Sequence, residues 1–193
     1  MKKIFLISLI TLFAASAANA QEAASPRFAY VNFSELVQLM PEMDEARATS
    51  EAASNEAQET YKGMVEEFQK KYEQYQQKAS TWTSAIKESK EKELSEMENR
   101  IREFQGAIQQ ELQEQQQKLM APIYKKAQDT VGQLGKEKGF TMVFDATAVL
   151  YIDKAQCTDL TPDARKALNI PADRTLESLQ AEMQAKAAAA QQQ

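Results

Sequence analysis

The sequence predicts an α+β chain in which a long antiparallel α-helical hairpin, a coiled-coil tentacle, stands on a small β body. Three observations predict it. Two long stretches carry apolar residues at intervals of three and four, and a polar break separates them near the midpoint. Short runs of aromatic and β-branched residues flank the pair on both sides. The chain also holds only five glycines and five prolines, while Glu, Gln, Lys and Ala dominate its middle, a composition that favours long helices.

The N-terminus reads as an export signal. Lys2 and Lys3 precede an apolar run from Ile4 to Ala15, and Ala18-Asn19-Ala20 fits a small-residue cleavage site. Residues 1–20 are therefore expected to be a signal peptide. The run is shorter than the roughly 20 apolar residues that span a bilayer, and no later segment is apolar enough to do so. A soluble exported chain is the expectation.

Removing residues 1–20 takes away two lysines and no acids, so the formal charge moves from -5 to -7. Such a chain offers no basic face to nucleic acid. It has no histidine, which removes the usual general base and the commonest metal ligand. Cys157 is the single cysteine, so no intrachain disulfide forms and no histidine activates the thiol. Neither a glycine-rich phosphate loop nor a nucleophile elbow occurs. No catalytic residue, metal or cofactor is expected, and the chain is read as a binding protein, not an enzyme.

Arg27 to Phe33 alternates with period two and predicts a strand. Ser34 is the expected N-cap of a short helix, Glu35 to Met40, and Pro41 can open the next helix at its first position. From Met43 a stripe runs through Ala46, Ala53, Ala57, Tyr61, Met64, Phe68, Tyr72, Tyr75 and Ala79. Its other faces are polar, so a helix on the order of 60 Å long lies outside any globular core. Ser80-Thr81-Trp82-Thr83-Ser84 breaks the stripe and places the hairpin tip at about residues 80–88.

A second stripe then runs from Leu94 through Met97, Ile101, Phe104, Ile108, Leu112, Leu119, Ile123 and Ala127 to Leu134. Pro122 is expected to kink or restart this helix, and Gly135 and Gly139 supply exits. Two helices of similar length joined by a short polar break should fold back on each other. One continuous helix pairing with another chain is the alternative, which the Ser/Thr cluster disfavours.

Gly139 to Asp145 and Ala148 to Ile152 both read as strands, with Asp145-Ala146-Thr147 turning between them. Thr161 and Pro162 start a short helix that ends near Asn169-Ile170-Pro171. Asp145 and Asp159 sit where short acids bond backbone amides. The expected organisation is thus a β-rich oligomerisation body (27–40 and 123–169), an arm (41–122) and an Ala/Gln-rich tail (170–193). The tail is either a weak helix or disordered. Three short strands leave apolar faces uncovered and edges unpaired, so assembly of several chains through the body is expected.

The body segments resemble a known family. Phe28-Ala29-Tyr30-Val31-Asn32 looks like the opening strand of the Skp family, the OmpH-like periplasmic chaperones. Residues 139–146 and 148–151 are similar to its closing strand pair, and Asp159-Leu160-Thr161 to its C-terminal signature. The likeness covers about residues 27–169. It implies a homotrimer whose shared body is built around Phe28, Tyr30, Val31, Phe33, Phe140, Met142, Phe144, Val149 and Tyr151. It further implies that the arms enclose a cavity holding unfolded outer-membrane proteins in the periplasm without ATP. One feature departs from the family. Its well-known members have basic arms, whereas Lys87 to Glu103 holds five basic and six acidic side chains. Capture of acidic clients and docking on anionic lipid have no basic face here, and membrane contact is left open.

For a holdase, weak and numerous apolar contacts are needed. Tyr61, Met64, Phe68, Tyr72, Tyr75, Trp82 and Ile86 are the candidate client contacts, although their spacing is also that of a seam. The competing reading is an envelope adaptor whose coiled coil bridges folded partners.

Overall fold

A strand, a short helix and a very long helical excursion follow one another before the chain returns to the same sheet. The computed structural model describes residues 25–190, so the predicted leader lies outside the described residues. The elements are β1 (Phe28–Val31), α1 (Phe33–Leu39), α2 (Pro41–Lys78) and α3 (Ser84–Glu137), then β2 (Met142–Asp145), β3 (Cys157–Asp159), α4 (Thr161–Ala167) and α5 (Leu176–Ala190). A 3-10 turn, Ala79–Thr81, joins α2 to α3. The architecture is the expected α+β one, with α2 and α3 packed against each other as a hairpin on a small sheet.

The start of the arm is built by local chemistry. Asn32 caps α1: its Oδ1 accepts from the Glu35 amide at 3.2 Å, and its Nδ2 donates to the Glu35 carboxylate at 3.0 Å. This reciprocal pair moves the cap two residues ahead of Ser34, the residue expected there. The Ser34 hydroxyl instead accepts from Gln38 at 3.0 Å. Pro41 opens α2, where its missing N–H leaves no bond unmade. At the far end the Thr83 hydroxyl accepts from the Ile86 amide, so the reversal occupies residues 79–83 and is tighter than 80–88.

Pro122 does not restart α3, which runs unbroken from Ser84 to Glu137. Leu119, Ile123, Ala127 and Val131 pack onto the core on either side of it. That burial holds the helix although the carbonyl of Lys118 loses its usual donor. Gly139 ends the helix in the left-handed region at φ 70, and the Phe140 amide bonds back to the Gly135 carbonyl at 2.9 Å. Gly135 is no exit. It is buried within α3, and a Cβ there would lie 2.8 Å from Val143 Cγ2, so glycine lets β2 approach the helix.

All pairing in the sheet is parallel, in the order β2-β1-β3. Phe28 stands opposite Met142 on one side and Cys157 on the other. The arm is therefore the crossover between β1 and β2. This arrangement corrects the reading of Ala148 to Ile152 as a strand. β2 and β3 run the same way, so the chain must return along the sheet between them, and residues 146–156 are that return leg. Asp145 and its carbonyl start it by accepting from the amides of Thr147 and Ala148. Two of its apolar side chains stand in solvent: Leu150 is 108% exposed and Tyr151 81%.

The core lies where the sheet, α1, α4 and the roots of α2 and α3 meet. Leu36, Val37, Leu39, Met40, Leu160, Ala164 and Leu168 are all but fully buried there. Thr161 begins α4 without capping it, because its hydroxyl accepts from the Asn32 amide at 3.1 Å, while Asp159 accepts from the Thr161 amide at 2.8 Å. Asn169 ends α4 at φ 56, with Ile170 bonded back to Arg165. Of the two readings of the tail, the helical one describes Leu176 to Ala190.

Candidate functional site

The hairpin of α2 and α3 is the feature on which a function can be built. At roughly 1.5 Å per residue, the 38 residues of α2 extend about 57 Å and the 54 of α3 about 80 Å. Body packing consumes the last turns of α3. What remains projects as an arm whose two helices touch along a narrow seam.

That seam is thinly filled. Beyond the root, Met97 is its one buried apolar side chain among the described residues, at 3% exposure. Ala53 and Ala57 face Phe104, Ile108 and Leu112 across open grooves. A small residue on α2 does not fill the space a large one on α3 leaves. The aromatic side chains expected to meet clients are therefore neither sealed in nor free. Tyr61, Met64, Phe68, Tyr75 and Trp82 are half-buried, and Tyr72 and Ile86 are each 45% exposed. Phe68 stacks on Tyr72 with ring centroids 6.0 Å apart, and Trp82 meets Tyr75 edge-on at 6.0 Å. Apolar surface thus runs along the arm to its tip. Met97 lies in the predicted stripe, but periodicity gave no reason to single it out. Only its position opposite α2 does.

Ion pairs clasp the arm at both ends. Lys126 bonds Glu42 near the root, and Lys71 bonds Glu93 near the tip. Lys90 also reaches Glu93, at 2.8 Å. Lys71 first, and Lys90 second, hold the Glu93 carboxyl well below its ordinary 4.5, at about 2. The distal clasp is accordingly complete above the ordinary value and is lost as pH falls through about 2. A carboxyl-carbon NMR titration is expected to place Glu93 near that value. A midpoint in the ordinary glutamate range would contradict the clasp. The Tyr75 hydroxyl donates to Glu91, which fixes the ring against Trp82.

The body presents a second apolar region. Phe28 and Phe144 lie 6.0 Å apart on adjacent strands, Phe33 meets Tyr124, and Arg27 sits over the Phe140 ring at 4.7 Å. Val31 is buried, and Tyr30 is half-buried. Met142, Val149 and Tyr151 are exposed, on β2 and the return leg. The outer edges of β2 and β3 are unpaired among the described residues. Leu150 was missed as a candidate, although it is the most exposed large apolar residue described. Its neighbours Val149 and Tyr151 carried the only available signal.

Among the described residues no group of three or more His, Cys, Asp or Glu could hold a metal ion. No described helix is long and apolar enough to cross a membrane. Cys157 is half-buried at the start of β3.

A family model described as Outer membrane protein (OmpH-like) matches residues 27–168, from β1 through the end of α4. The chain belongs to the OmpH-like family. Among its OmpH-like relatives are the chaperone protein Skp of Yersinia enterocolitica, 26% identical over 166 residues, and that of Pectobacterium atrosepticum, 25% identical over 166 residues. Each alignment spans 86% of this chain and 98% of the relative. The structure of an outer membrane chaperone (OmpH-like) from Caulobacter crescentus shares the fold, with a TM-score of 0.67 and 16% identity over 76% of this chain and 85% of that one. OmpH-like relatives that are chaperones agree with the reading of a non-enzymatic chain. The OmpH-like match ends before α5 begins.

Proposed function

We propose that this chain is an ATP-independent periplasmic holdase, exported by residues 1–20, that keeps unfolded outer-membrane proteins from aggregating between the helical arms of a homotrimer. The observation that carries this reading is the arm itself. It is long and thinly packed, and it bears half-buried aromatics along its length, with no enclosed site. Such a surface suits many weak contacts to clients that share no sequence. Holding an unfolded chain at many points lowers its free concentration and so opposes aggregation by mass action. The relatives named Skp support a chaperone, and the exposed return leg and open sheet edges support assembly.

Suppression of light scattering tests the reading. Several unrelated outer-membrane barrel proteins are diluted from urea with the chain present and no nucleotide. Near-stoichiometric protection of all of them is expected. Selective capture of one folded envelope protein, with no protection, would point to the adaptor reading instead.

Assembly is tested separately by the molar mass in solution. Three times the chain mass is expected at micromolar protein, and a monomer mass would contradict the trimer.

Trp82 is the proposed contact at the tip. Trp82→Ala is expected to weaken client binding several-fold while leaving the unfolding midpoint of the body unchanged, since the tip is remote from the core. Undiminished protection by this variant would remove Trp82 from the contact surface.

A further inference from the structure

At the root of the arm, α2, α3 and α5 line an open groove of about 480 Å³. Met43 and Ala46 line one wall and Leu119 and Met120 the other, while Met183 and Ala187 of α5 lie across it. We propose that this groove takes apolar segments of unfolded polypeptide and that the second half of α5 is its displaceable occupant. The proposal rests on the holdase reading for the identity of the ligand, and on the groove for its place.

Three observations carry it. First, two of the arm residues that line the groove, Met43 and Met120, are methionines. An unbranched, polarisable side chain adapts to ligands of varied shape, as a binder of unrelated sequences requires.

Second, α5 is fastened at one end only. Leu179 is buried against the core, and Arg174 pairs with Asp44 at 2.6 Å. Arg165 bonds Glu35 at 3.0 Å and the carbonyls of Pro171 and Arg174. Thr175 and Ser178 bond each other's amides. Beyond Leu179, by contrast, no α5 side chain forms a hydrogen bond or ion pair among the described residues. Residues 180–189 are all exposed, and Met183, at 53%, covers the groove only in part. A segment with so little burial opens locally at low cost.

Third, α5 lies wholly beyond the family match, so it is an addition to the arm-and-body unit. Its alanine-rich composition favours a helix and gives the groove little to grip.

Occupancy by α5 reduces apparent client affinity by the fraction of time the groove is open. An occupant held this weakly should tax binding by roughly three- to tenfold, no more. Deleting residues 181–193 removes the covering half and keeps Leu179, Arg174 and the Thr175–Ser178 pair, so the anchor and core remain.

The test measures two quantities on the full assembly: the Kd for a fluorescent, urea-unfolded outer-membrane barrel protein, and the fluorescence of the apolar dye bis-ANS. The deletion is expected to lower the Kd by about three- to tenfold and to raise bis-ANS binding, with Met183→Ala moving both the same way by less. An unchanged or weaker Kd together with unchanged dye binding would overturn the proposal. If the wild-type chain binds no unfolded barrel protein, the holdase reading fails. In that case the dye alone decides whether α5 covers the groove: a rise upholds the cover, and no change overturns it.

Discussion

Replacing Leu150 and Tyr151 together by glutamate is expected to leave the chain monomeric. The two side chains stand in solvent at 108% and 81% exposure on the return leg, beside exposed Val149. Single exposed apolar residues are ordinary on proteins, but a run of them on a body whose small sheet has open edges is a surface for another chain. Burying each such side chain contributes about 1.5–3 kcal/mol. Losing two per protomer, and placing two like charges in the contact, exceeds what a marginal three-stranded sheet can absorb. Sedimentation should show the chain mass alone, and protection of unfolded clients should fall with it because no cavity is enclosed. A variant that still sediments as the wild type would mean that assembly uses a different surface.

Leu168→Ala is expected to destabilise the body by about 2–5 kcal/mol, the usual range for removing a fully buried leucine. Leu168 is wholly buried at the C-terminus of α4, in one cluster with Leu36, Leu39, Leu160 and Ala164. The cluster joins α1, α4 and the sheet, so the cavity lies where the elements that hold the arm's root meet. A domain stable by some 5–15 kcal/mol loses a large share of that margin. Urea unfolding should show a lower midpoint at unchanged slope. A midpoint equal to that of the wild type would mean the site collapses without cost.

The arm was legible because its signal is long. Stripes from Met43 to Ala79 and from Leu94 to Leu134 repeat many times, so a few irregular residues cannot disguise the period. The tip was legible for the related reason that Ser80 to Ser84 interrupts that period. The closing strands were legible only in part. Met142 to Asp145 forms β2, but Ala148 to Ile152 carries stronger strand residues than Cys157 to Asp159 and yet is the return leg. Strand propensity describes a side chain's fit to a half-buried pleat, and topology decides which segment reaches the sheet. β3 has three residues and no apolar alternation, so nothing local announces it.

Other differences were local contests. Asn32 displaced Ser34 as cap because Glu35 is placed to answer it, a pairing visible in sequence as Asn-x-x-Glu. Gly135 reads as an exit until the approach of Val143 is seen, since that contact joins residues from different elements. The client candidates were found by type and spacing. Their half-buried state was hidden, because it depends on how poorly Ala53 and Ala57 fill the seam opposite α3. The groove under Met183 was beyond reach of sequence, as it needs the tail to fold back onto the arm's root.

The central claim is that the arms hold unfolded outer-membrane proteins mainly through apolar contact. Charges on the distal part of α3 nearly balance, with five basic against six acidic side chains between Lys87 and Glu103, so the arm offers no basic face there. Attraction between exposed charges is screened by salt, whereas burial of apolar surface is not. The most direct measurement is the affinity for one unfolded, fluorescently labelled barrel protein at low and at high salt, without nucleotide. Binding that persists with little change at high salt is the predicted result. Binding that vanishes at high salt, or is absent at both, would contradict the account.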